Sequence, residues 1–126
     1  MKYVSALVVL IALAFVQTGY SQMKVDGMKF GTAVEKSEVV GEATSFPANG
    51  SNVYCWIKVV GGEGQTVTMK WYHGETLKNE VPLEIKSWSM RTYAFYEVHR
   101  AGTWKVEIVD STGKVLQSGE FTATAQ

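Results

Sequence analysis

The sequence contains one cysteine, Cys55, and two histidines, His73 and His99, among 126 residues. A single thiol excludes an intramolecular disulfide framework, so the hydrophobic core alone must hold the fold. Two isolated histidines without a neighbouring ligand residue offer none of the spacing that a dedicated metal site uses. Charge of one sign is also missing: lysine and arginine total 12, aspartate and glutamate total 12, and no run of like charges occurs. A near-neutral surface without a basic patch argues against nucleic acid or an anionic membrane surface as the partner. After the first 21 residues no stretch repeats its apolar positions at helical spacing, which argues against helices.

The one long apolar run is N-terminal. Lys2 supplies a positive start, Leu7–Val16 is uninterruptedly apolar, and Gly19 and Ser21 are the small residues a signal peptidase requires. Residues 1–21 are therefore predicted to be a secretory signal peptide cleaved before Gln22. The run is too short to cross a bilayer, which takes roughly 20 residues. No cysteine stands at the cleavage point to carry a lipid. The expected location is secreted or periplasmic, with no membrane span after cleavage. Because the leader takes one lysine and no acid, the mature chain carries one net negative charge. All four tryptophans lie beyond the leader, and such side chains bury enough area to make a disulfide-free core credible.

The rest of the chain reads as strands. Residues 22–28 lack apolar periodicity and are expected to be a flexible arm, with the folded domain over 29–126. Phe30, Thr32 and Val34 alternate in a first strand over Lys29–Glu35, and Thr44–Phe46 reads as a short strand before the Pro47–Ser51 turn. Val53, Cys55, Ile57 and Val59 alternate with Tyr54, Trp56 and Lys58; with both sets largely apolar, this strand should be central. Cys55 reads there as a small buried hydrophobe. The glycine-rich Gly61–Gly64 precedes no helix, which excludes a phosphate cradle and leaves a hairpin connection. Val67, Met69 and Trp71 share a face. Val81, Leu83 and Ile85 share another, and Pro82 between them, out of phase and without an N–H, predicts a strand at an edge or one with its proline facing outward. Tyr93 and Phe95 alternate with Ala94, Tyr96 and Val98. Trp104, Val106 and Ile108 alternate with Lys105 and Glu107, marking Trp104 as core, and the chain turns back through Asp110–Gly113. Leu116 and Phe121 are five apart, which predicts a bulge or break at Ser118-Gly119. The fold class is all-β: a single antiparallel β-sandwich, immunoglobulin-like, of about seven strands.

Several blocks in this order resemble a bacterial family known only as domain of unknown function 2914. They are Trp71-Tyr72 before a His-Gly turn, Ser89–Tyr93, Gly102–Asp110, Gly113–Leu116 and Phe121. Upstream, Thr32–Val34 and Val53–Trp56 also resemble its first blocks. Members often carry a histidine two residues before the tryptophan of the Trp-Tyr pair, where this chain has Met69; any chemistry of that histidine would be lost here. The resemblance implies an extracytoplasmic or membrane-attached accessory domain and supplies neither substrate nor activity.

The residues themselves point away from catalysis. A Cys–His pair would need Cys55, mid-strand, to meet a histidine in a turn. Glu63, Glu75, Glu84, Glu97 and Glu107 fall at turn or outward positions, where solvated charge is the default. The chain is thus expected to be no enzyme, with no cofactor and no metal. The candidate binding residues are Arg91, Tyr93, Trp88, Tyr72 and His73: an aromatic platform beside a cation, suited to a glycan or to an envelope protein. The competing reading has Trp88 and Tyr93 completing the core edge and Arg91 pairing a nearby acid. The expected function is a non-enzymatic accessory module that binds protein or glycan. The alternatives are a structural subunit that pairs by strand addition, or a hydrolytic enzyme.

Overall fold

The computed structural model describes residues 23–126; the predicted leader and its cleavage point before Gln22 lie outside the described residues. Ten strands run in chain order: β1 Lys24–Gly31, β2 Ala33–Glu35, β3 Glu38–Val40, β4 Ser45–Pro47, β5 Asn52–Val60, β6 Thr66–His73, β7 Thr76–Glu84, β8 Ser89–Glu97, β9 Gly102–Val109 and β10 Val115–Thr124. They form a three-stranded sheet, β1-β5-β8, a five-stranded sheet, β4-β10-β9-β6-β7, and a separate β2–β3 hairpin. The two larger sheets bury their inner faces against each other in an all-β sandwich. Every pairing is antiparallel except β4 with β10, which is parallel.

The count exceeds seven because the expected first strand is divided between β1 and β2, and β3, of three residues, is too short for periodicity to show. The arm expected over 22–28 is corrected as well, since from Lys24 onward it is β1. A register shift between Val25 and Gly27 hid it. The bulge lets Val25, Met28 and Phe30 share the inner face opposite Val59, Ile57 and Cys55, although Val25 and Met28 are three apart. The strand expected over Lys29–Glu35 is likewise split, with Gly31 ending β1 and Ala33 opening β2.

Val53, Cys55, Ile57 and Val59 face Val67, Met69, Trp71, Val106 and Ile108 across the sandwich, all nearly inaccessible to solvent. Aromatic rings fill one end of this core. Phe121 is the hub, with ring centroids 5.1 Å from Phe30, 5.6 Å from Phe46 and 6.0 Å from a nearly parallel Trp104. Trp104 is core as expected, and its Nε1 donates to the Arg100 carbonyl at 2.9 Å. Among the described residues the buried Nε1 of Trp71 has no hydrogen-bond partner, which costs about 1–3 kcal/mol that ring packing must offset.

β7 is an edge strand with Pro82 exposed, as its proline requires. The irregularity in β10 falls between Val115 and Gln117, two residues before the predicted position. Gly119 stays in register opposite Val106 and serves another purpose: a Cβ there would lie 3.2 Å from the Met28 sulfur and from Phe30 Cε2. The glycine lets β10 approach β1 where the two sheets meet. Gly61–Gly64 does not close a hairpin, because β5 and β6 lie in different sheets; it carries the chain across the sandwich.

Candidate binding face

The outer face of the three-stranded sheet is built in three rows by the pairing of β1, β5 and β8. Gly27, Lys58 and Arg91 form the first, Lys29, Trp56 and Tyr93 the second, and Gly31, Tyr54 and Phe95 the third. The strand period of two puts Tyr54 and Trp56 opposite the core-facing Cys55 and Ile57. It does the same for Tyr93 and Phe95 relative to Ala94. Tyr54 packs between its two neighbours, with centroids 5.0 Å from Phe95 and 5.9 Å from Tyr93. Phe95 is 49% exposed and Tyr93 43%, large apolar areas left in water.

Trp56 is the exception on this face, buried because the β2–β3 hairpin lies against it. Its Nε1 donates to the Ser37 carbonyl at 2.8 Å, and the Lys29 ammonium sits 5.2 Å from its ring centroid. The hairpin turn holds Lys36 and Ser37 at φ of 51° and 65°, a left-handed conformation that costs non-glycine residues about 1–2 kcal/mol each. This turn is what aims the Ser37 carbonyl at the indole. Glycines make room beneath it: a Cβ on Gly31 would stand 2.6 Å from Val39 Cγ1 and from the Val40 carbonyl oxygen. Arg91 Nη1 donates to Glu38 Oε1, tying the hairpin to β8. Between hairpin and sheet lies a pocket of about 280 Å³, with Val34, Lys36 and Ser37 on one side and Trp56, Arg91 and Tyr93 on the other.

Arg91 and Tyr93 therefore share one face, and Arg91 does pair an acid. The remaining candidates are dispersed. Trp88 is 64% exposed in the β7–β8 connection, where its carbonyl accepts the Gly61 amide at 2.7 Å. Tyr72 lies on β6 of the other sheet, in the row of Lys105, whose ammonium is 4.9 Å from the phenol centroid. Partial burial, then the nearby Glu107 and Glu80 carboxylates, raise its hydroxyl above the usual tyrosine range. His73, next on the same strand, packs 4.9 Å from Trp104 and places Nε2 at 2.8 Å from the Ala101 carbonyl. The expected single platform of Tyr72, Trp88 and Tyr93 is thus corrected: Tyr72 and Tyr93 point outward from opposite sheets. Tyr54, Trp56 and Phe95 take the vacated places. Their alternation was visible in the sequence, but the pairing of β5 with β8 that makes them neighbours was not.

Elsewhere the chemistry is quiet. Cys55 is fully enclosed between the sheets, and burial pushes its thiol far above the ordinary range, so it is no nucleophile. His99 Nε2 lies 2.7 Å from Glu97 Oε1 on the surface. Among the described residues, no three His, Cys, Asp or Glu side chains converge as a metal would require.

The layered sheets, the buried aromatic hub and the exposed aromatic face define a β-sandwich with one chemically distinct outer surface. Over residues 64–123 the chain matches the model of the family described as "Protein of unknown function (DUF2914)". The matched span runs from the loop before β6 almost to the end of β10 and includes Arg91, Tyr93 and Phe95. Tyr54, Trp56 and the hairpin lie upstream of it, as do the two earlier blocks that resemble the family. Met69, where members often carry histidine, is a core residue of β6. The fold is similar to that in the crystal structure of a Niemann-Pick type C2 protein from Japanese carpenter ant, at 14% identity and a TM-score of 0.49, covering 86% of this chain and 96% of that one. At that score the likeness carries no functional argument. No curated protein matches the chain.

Proposed function

We propose that this protein is a secreted or periplasmic, non-enzymatic binding module that engages a protein partner through the outer face of its three-stranded sheet. The observation that carries the reading is the contiguous Tyr54, Tyr93 and Phe95 cluster beside Arg91 on a rigid sheet, with Tyr93 and Phe95 exposed and Tyr54 half-buried between them. Exposed aromatics next to an arginine are the composition of interface hot spots. Phe95 has no polar group to reward its exposure, so a partner that covers it gains the burial of the half of its surface still in water. The apolar run Leu7–Val16 after Lys2 supports placement outside the cytoplasm. The enclosure of Cys55 supports the non-enzymatic reading.

A glycan is the second reading, favoured by the pocket over Trp56 and Tyr93, where Arg91, Lys36 and Ser37 could bond sugar hydroxyls or an acidic substituent beside a stacking ring. Capture from an envelope extract by the purified protein, with parallel titration against soluble glycans, separates the two. A Tyr93→Ala/Phe95→Ala variant that still melts cooperatively should lose at least tenfold in capture of a protein. If the variant retains everything the unaltered chain captures, the face is not the binding surface. Glycan binding lost with Arg91→Ala would select the second reading.

A further inference from the structure

We propose that the chain forms a symmetric homodimer by pairing β8 antiparallel with β8 of a second copy, about a two-fold axis through Ala94. Strand β8 is the last strand of its sheet, and its nine residues pair with β5 without a register break. Beyond the pairing with β5, the only further partner of its backbone among the described residues is the Ser87 hydroxyl, which donates to the Ser89 carbonyl. The other edges of the two sheets are guarded. Along β7 stand Lys78, Glu80, Pro82 and Glu84; β4 has only three residues; β1 is bulged at Asp26. Such devices are how natural sheets keep their edges from pairing. Strand β8 has no proline, no lysine and no bulge, so it is built to accept a neighbour.

The sequence of β8 says which neighbour. With the axis through Ala94, Arg91 stands opposite Glu97 of the second copy and Tyr93 stands opposite its Phe95. Symmetry repeats both pairs. All four residues are on the outer face, where directly opposed side chains touch. Moving the axis to Tyr93 sets Arg91 against Phe95 and Glu97 against Ser89. Moving it to Phe95 sets Glu97 against Tyr93. Of these registers, only the one centred on Ala94 matches the opposite charges. The five donors of the Arg91 guanidinium can serve Glu38 and the incoming carboxylate together. Glu97 is exposed, and among the described residues its carboxylate meets only the surface His99. The result is a continuous six-stranded sheet with two aromatic faces side by side. Pairing uses the backbone edge and leaves those faces open, so the dimer stands whether or not they bind a partner.

Sedimentation of the purified chain over a concentration series up to about 1 mM should show a mass approaching two copies and falling to one on dilution. Arg91→Glu and Glu97→Arg should each remain single copies, because each places like charges opposite one another twice. Mixed in equal amounts, the two variants should recover the doubled mass, since every cross-strand pair is then of opposite sign. A Tyr93→Cys/Phe95→Cys chain provides a readout that leaves Arg91 and Glu38 untouched. Its cysteines face each other across the axis and should give a covalent dimer on oxidation. A single-copy mass at every concentration overturns the proposal. So does a mixture of the charge variants that stays monomeric while both are folded by circular dichroism, or an oxidised cysteine variant that stays monomeric.

Discussion

The two outer faces of this sandwich are made by the same strand rule and have opposite chemistry. On the five-stranded sheet the outward residues are mostly charges that neutralise one another. Lys70 lies 3.7 Å from Glu80 and Lys105 3.4 Å from Glu107, with Lys105 also covering Tyr72. On the three-stranded sheet the outward residues are Tyr54, Trp56, Tyr93 and Phe95, and the cations stand at the margin or over a ring. Exposed pairs of the first kind contribute little to stability and keep a surface soluble. Of the second set the β2–β3 hairpin covers Trp56, while Tyr93 and Phe95 stay exposed, the kind of apolar surface that marks an interaction site. The proposed binding function therefore rests on the chemistry of one side of the sandwich.

Both faces rest on the same core, so the largest effect comes from removing what they share. Trp104→Ala should destabilise the chain by about 3–5 kcal/mol in urea melts, because its ring stacks on Phe121 and meets Tyr96 of the opposite sheet. A loss below about 1 kcal/mol would put the ring outside the core. The next effect separates the faces. Trp56→Ala should cost about 2–4 kcal/mol, since it removes a buried ring and leaves the Ser37 carbonyl without its indole donor. Its counterpart across the sandwich, the half-buried Tyr72, should cost about 1 kcal/mol when changed to alanine. Equal losses at the two positions would mean that the hairpin does not depend on Trp56. Smallest of all, Phe95→Ala should change stability by no more than about 1 kcal/mol, the worth of its contact with Tyr54.

The longer strands were legible because their residues alternate without interruption. Val53–Val60, Gln65–Tyr72 and Gly102–Asp110 gave the correct inner faces, including Cys55 and Trp104. Where the chain departs from strict alternation the reading failed: the bulge at Asp26 disguised β1 as an arm, and Gly119 looked like a bulge when it is a point of close approach. The candidate face was half legible. Arg91 and Tyr93 stood out by composition, but Tyr72 precedes them by fewer than 25 residues and lies on the opposite sheet. Tyr54 precedes Tyr93 by almost twice that distance and touches it. Alternation tells which side of a strand a residue occupies; only sheet order tells which strands are neighbours.

The most direct test of this asymmetry is oxidative footprinting of the protein alone and after capture of its partner from envelope extract. Labelling at Tyr54, Tyr93 and Phe95 should fall at least threefold on capture, while Tyr72 on the charged face is unchanged. Protection of Tyr72 with Tyr93 and Phe95 still fully labelled would contradict the assignment of the binding face.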